Sequence, residues 1–307
     1  MKDYGFAQKI ATDPTGTLSY IESNTNSMKP KTILLIHGIS ANWRDWKTSM
    51  LDEISMLGYR TIAIDRPGMG ESNRRSEVIS LEDQASLIMR SIRLLDSKPL
   101  LIMGHSYGGS LALKMALTYP NDISGLILLA APTHPWVGGL GLLYDILGFP
   151  LFTKIGTKFI SLCKPERLIN STLIDIFCPQ KIPTNYREEL NIELTLRQKS
   201  LEWIIKDAKM LKASLAKMSE NYKHLNIPIE IFHGTSDKIV PLELHAKKFH
   251  EKVFSSKLTK LKGIGHMPHH FRKNIILRSI VSLLIIITPS CSHFYFLPKS
   301  PQTNRVS

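Results

Sequence analysis

A chain of 307 residues, 43% hydrophobic and 21% charged, can bury a substantial core. Having no low-complexity tract or fixed-period repeat, it excludes a disordered or solenoid protein and favours one domain carrying an insertion. Its formal net charge is +13, but lysines and arginines are spread along the chain with no nucleic-acid-binding signature, so nucleic acid is not the expected partner; attraction to an anionic lipid surface is a weak expectation.

Three cysteines, Cys163, Cys178 and Cys291, are too few and too scattered for a disulfide framework or a zinc site. They fit packing positions in a reducing, cytoplasmic setting. The N-terminal "MKDYGFAQKIATDPTG" lacks the apolar core of a signal peptide, which agrees with that setting.

In chain order, "FAQKIAT" and "TLSYIES" flank the turn-like "DPTG" and predict an N-terminal β-hairpin. The pattern then changes to short continuous apolar runs, "KTILLIHG", "YRTIAID", "PLLIMG", "SGLILLAA" and "IPIEIFHG", as expected of parallel strands covered on both faces. Between them "WRDWKTSMLDEISMLG", "SLEDQASLIMRSIRLLD", "SLALKMALTYP" and "PLELHAKKFHEKV" carry apolar residues at helical spacing. The alternation predicts an α/β fold, a doubly wound and mostly parallel open sheet with its site at the carboxyl ends of the strands.

From near Ala131 to near Ile227 the alternation lapses for about ninety residues, a length that usually marks a lid or cap with its own helices. The expected organisation is a core formed by residues 1–132 and 223–288, a helical cap over 133–222 and a tail at 289–307. The apolar cap favours a small-molecule substrate with an apolar acyl or alcohol group. From Ile275 to Leu297 the chain is largely apolar, yet Arg278 and Pro289 interrupt it, so a membrane-spanning helix is not expected there.

"GHSYGG" places Ser106 on a G-x-S-x-G turn between an apolar strand and a helix, the pattern of a nucleophile elbow. The motif lacks the lysine of a phosphate-binding loop. A serine hydroxyl needs a base to take its proton and a third group to orient that base. Downstream, "IFHGTSDKIVP" supplies Asp237 after a strand and "LKGIGHMPHH" supplies His266, giving the order serine, acid, histidine. His269 and His270 are the rivals to His266, while His105, His134 and His233 fit structural or lining positions. Asp65 in "DRPGMGES" precedes the serine, and its expected task is to hold its own loop. Two amide donors for an oxyanion are expected from Tyr107, just past the serine, and from Ile39 in "LLIHGIS".

Together "LLIHGISANWRDW", "DRPGMGES", "GHSYGG", "HGTSDKIVP" and "GIGHMPHH", spread over residues from about 30 to 285, resemble the α/β-hydrolase fold superfamily, within its serine-nucleophile esterase, lipase and C-C hydrolase branch. The resemblance implies an eight-stranded sheet with a cap inserted after the sixth strand. It further implies Ser106, His266 and Asp237 as a triad, and Ile39 and Tyr107 at an oxyanion hole. Hydrolysis of an ester or related acyl compound through an acyl-enzyme follows, with no metal or organic cofactor required by that chemistry. C-C bond cleavage of a diketone, and perhydrolase or acyltransferase chemistry, share the same residues. A non-catalytic binding module on a hydrolase fold is the remote alternative. Relatives that attack with an aspartate, the dehalogenases and epoxide hydrolases, are disfavoured by the serine.

Overall fold

The structure, a computed structural model, describes residues 8–28, 31–95, 100–139 and 149–287. β1 (Gln8–Asp13) and β2 (Gly16–Ser23) form the expected antiparallel hairpin. β2 pairs antiparallel with β4 (Arg60–Ile64), and from there the sheet is parallel through β3 (Thr32–Ile36), β6 (Leu100–His105), β7 (Ile123–Leu129), β8 (Ile229–Gly234) and β9 (Ser256–Leu261). The strand order is β1-β2-β4-β3-β6-β7-β8-β9, and a two-residue β5 (Asn73–Arg74) adds a ninth member by pairing with β2. The eight expected strands are therefore the main path; β5 is too short to carry an apolar run.

The strands read as unbroken apolar segments because both faces are covered. Alternate residues point opposite ways, so Leu34, Ile36, Ile62 and Ile102 pack into one core layer while Ile33, Leu35, Ala63 and Leu101 pack into the other. The first layer is roofed by α3 (Leu81–Leu94) and α4 (Tyr107–Thr118). The second is closed by α1 (Arg44–Ser49) and α2 (Leu51–Ser55). The stretch from Trp43 to Gly58 thus forms two helices, because Met50 between them leaves helical geometry at φ −134°. The start of α3 is fixed locally: Ser80 Oγ accepts from the Asp83 amide at 3.1 Å, and the Asp83 carboxylate accepts from the Ser80 amide at 2.9 Å.

Between β7 and β8 lie α5 (Pro150–Cys163), α6 (Glu166–Phe177), α7 (Tyr186–Glu189) and α8 (Gln198–Ser219). Counted without β5, this insertion follows the sixth strand of the sheet. After β8 come α9 (Lys248–Lys252), α10 (Pro268–Phe271) and α11 (Lys273–Ile287). α11 returns to the second core layer through Ile276, Ile280, Leu283 and Leu284, and among the described residues no helix is long and apolar enough to cross a membrane. The tail at 289–307 lies outside the described residues.

The cysteines depart from their expected packing roles. Cys163 is exposed at the end of α5, and Cys178 is half-buried; Cys291 lies outside the described residues.

Candidate active site

Ser106 stands at the junction of β6 and α4 with φ 50° and ψ −122°, a conformation that costs energy for any residue with a Cβ. The turn closes only because its neighbours are small. A Cβ on Gly104 would collide with the Gly108 carbonyl, and one on Gly108 with the carbonyl of Ile36 on β3. The strained turn places Ser106 on the lining of a cavity, where the residue is buried at 8% exposure.

His266, on the loop after β9, accepts the Ser106 hydroxyl at Nε2 at 2.9 Å and donates from Nδ1 to Asp237 Oδ2 at 2.8 Å. Asp237 sits past β8, where its Oδ1 accepts from the amides of Ile239 and Val240, both at 2.9 Å. Burial alone would raise its carboxyl. The His266 ring and its hydrogen bond, together with the nearby His233, outweigh burial and hold it well below the usual carboxylate range. His233 donates from Nε2 to the Val240 carbonyl at 2.7 Å and stands 3.4 Å from Asp237, supporting the acid from behind.

The rival histidines are engaged elsewhere. His269 donates to Asp45 Oδ2 at 2.9 Å, and His270 to Asp45 Oδ1 at 3.0 Å, where the Tyr186 hydroxyl also donates at 2.9 Å. Burial pushes His269 down to about 4, so it stays neutral at pH 7 and serves as a donor to the ionised Asp45. The Asp45, His269 and His270 side chains are close enough to one another to suggest a cation site, but each donor is already spent on the carboxylate. His105 donates to the His266 carbonyl at 2.9 Å, and its ring lies tilted against those of His266 at 5.0 Å and His269 at 4.4 Å. His134 lies away from this group, against Thr133 and Tyr222. Asp65 binds its own loop region, accepting from the Trp43 and Glu71 amides at 2.8 Å each, and burial raises its carboxyl to about 6.

Ile39 lines the same cavity as Ser106 and His266, and a Cβ on Gly38 beside it would crowd the His105 ring at 3.0 Å and reach the Ser106 Cβ at 3.5 Å. Tyr107 opens α4 directly after Ser106, so its amide belongs to the first turn, which has no intrahelical acceptor and carries the positive end of the helix dipole. Its side-chain hydroxyl accepts from Gln84 at 2.9 Å, and the ring lies under the Arg66 guanidinium at 4.4 Å.

Sequence reasoning missed the group behind this loop. Arg66 donates to the Ile39 carbonyl at 2.8 Å and pairs with Asp207 of α8 at 3.1 Å, while Arg74 pairs with the other oxygen of Asp207 at 2.7 Å. His37 completes it, accepting the Arg66 amide at Nε2 (2.9 Å) and donating from Nδ1 to the Gly38 carbonyl (2.7 Å). The signal for Arg66 was its place in "DRPGMGES"; its partner is 141 residues away, beyond the reach of any local pattern.

The cavity has a volume of about 420 Å³ and runs from Ser106 outward between α5, α6 and α8. Its walls are mainly aliphatic, including Leu173, Ile176, Ile204 and Ile205.

This geometry is accompanied by a direct sequence match: residues 31–273 fit the alpha/beta hydrolase fold family. The chain belongs to that family. Among related alpha/beta hydrolases, AB hydrolase superfamily protein YisY of Bacillus subtilis is 26% identical over 248 residues, covering 80% of this chain and 88% of the relative. Epoxide hydrolase 3 of Xenopus tropicalis is 38% identical over 109 residues, but that match covers 34% of this chain and only 28% of the relative's length. In three dimensions the esterase of Exiguobacterium antarcticum superposes with a TM-score of 0.72 at 19% identity, over 91% of this chain and 99% of the esterase, which shows a shared fold.

Proposed function

We propose that this alpha/beta hydrolase cleaves a carboxylic ester, or a related acyl compound, through an acyl-enzyme on Ser106. The observation that carries this is the unbroken relay from Ser106 Oγ to His266 Nε2 at 2.9 Å and from His266 Nδ1 to Asp237 at 2.8 Å. His266 takes the hydroxyl proton as Ser106 Oγ attacks the acyl carbon, and Asp237 stabilises the imidazolium that results. The amides of Ile39 and Tyr107 receive the oxyanion. As the tetrahedral intermediate collapses, His266 gives its proton to the departing alcohol, leaving the acyl group on serine. Water then attacks the acyl-enzyme, with His266 again as base, and the acid leaves as Ser106 recovers its proton.

The insertion between β7 and β8 acts as a cap whose aliphatic wall takes an apolar acyl or alcohol group, a role supported by the composition of the cavity. The test is a panel of p-nitrophenyl esters run beside a vinylogous diketone, with wild type and Ser106→Ala. Ester turnover should fall by roughly 10⁴ to 10⁶ in the variant, and an organophosphonate should label wild type at Ser106 alone. Turnover of the diketone without ester cleavage would replace this proposal with C-C bond hydrolysis.

A further inference from the structure

α5 has two faces with different surroundings. Thr157 and Ile160 turn inward and line the cavity that contains Ser106. On the outer face Phe152, Ile155, Phe159 and Leu162 are 51%, 59%, 58% and 72% exposed. At about 100° per residue these four share one continuous stripe running the length of the helix. Phe149, immediately before the helix, is 63% exposed and meets Phe152 edge to face at 6.5 Å, extending the stripe.

Exposed aromatic and aliphatic residues contiguous over a whole helix are unusual on a protein that stays in water. Their flank supplies the second observation. Lys154 and Lys158 stand exposed beside the stripe, α5 contains no acidic residue, and neither lysine has an acidic partner among the described residues. The chain as a whole carries +13.

We propose that the outer face of α5 docks on an anionic lipid surface. The Phe, Ile and Leu side chains enter the boundary between headgroups and acyl chains, while the two lysines lay their stems along that boundary and place their ammonium groups among the phosphates. The net positive charge draws the protein toward such a surface from a distance. A second copy of the chain is a poorer occupant, because an antiparallel two-fold contact through this stripe brings the lysine flanks of like charge together, and two copies of a chain carrying +13 repel each other in any orientation. Docking this way sets the cavity-lining helix directly on the lipid. The proposal does not rest on the ester chemistry, since its readout is binding.

The experiment is co-sedimentation of the full chain with vesicles of phosphatidylcholine containing phosphatidylglycerol, against vesicles of phosphatidylcholine alone, at low and high salt. Binding is expected to the anionic vesicles and to weaken with salt. Lys154→Gln and Lys158→Gln should each reduce it about fivefold. Phe159→Ser should reduce it roughly tenfold or more, with circular dichroism and the melting transition unchanged because the site is exposed. Three results overturn the proposal: no binding to anionic vesicles, binding indifferent to the α5 substitutions, or a wild-type dimer in light scattering that Phe159→Ser converts to monomer.

Discussion

Arg66, on the loop after β4, and Asp207, on α8, form an ion pair at 3.1 Å with both side chains fully buried. The same guanidinium donates to the Ile39 carbonyl at 2.8 Å, so one residue ties the helical insertion to the loop that carries a candidate oxyanion donor. A charge this deep is tolerated only while its partner is present.

Asp207→Ala leaves Arg66 and Arg74 facing each other without a counter-ion. The expected loss is about 3–5 kcal/mol of stability. Urea unfolding monitored by tryptophan fluorescence measures it, and a loss below about 1 kcal/mol would mean that water or another group already compensates the pair.

Asp237→Asn keeps the size of the side chain but removes the charge and offers a donor where His266 Nδ1–H needs an acceptor. The imidazole should then lose its orientation toward Ser106. Turnover of a p-nitrophenyl ester is expected to fall on the order of 10⁴, with binding of an uncleavable analogue little changed. Parallel kinetics and equilibrium binding separate the two, and a comparable loss of binding would falsify the orienting role.

Leu173, buried on the wall formed by α6, faces the cavity of about 420 Å³. Leu173→Trp should fill part of that space, so that KM rises for long acyl or alcohol chains while short esters are handled as before. A chain-length series on the variant reads this directly; an unchanged profile would place the apolar part of the substrate elsewhere.

The fourth prediction concerns acid. His37 accepts the Arg66 amide at Nε2, so it must be neutral in the folded chain, and burial together with the Arg66 charge pushes it down to about 3. His245 is pushed down by burial to about 4. In the unfolded chain a histidine takes its proton near pH 6.5. Between about 6.5 and about 4 the unfolded state therefore binds more protons than the folded state, and stability falls as pH falls, by roughly 1.4 kcal/mol per pH unit for each such histidine. Denaturant midpoints at pH 7, 6 and 5 should decline in that order, and His37→Gln, starting from a lower stability, should show a shallower decline. A midpoint independent of pH in this range would remove the argument.

Much of this molecule is written locally. The apolar runs of β3, β6, β7 and β8 report burial on both faces, which follows from composition alone. Ser106 announces itself because its strained turn demands small neighbours within two residues, Gly104 and Gly108. Asp237 and His266 are legible because each closes a short segment after a strand, and order along the chain fixes where those loops emerge in a parallel sheet.

Pairings across the fold are not written that way. Nothing near residue 45 indicates that Asp45 gathers His269, His270 and Tyr186, and so engages the two histidines that rival His266. Nothing near residue 66 indicates Asp207, and no local pattern marks the break at Met50 between α1 and α2. Local sequence determined the strands and the elbow because backbone sterics and hydrophobic period act over a few residues; the tertiary structure alone decided which buried charges meet, because their energies depend on distances that only the closed chain defines.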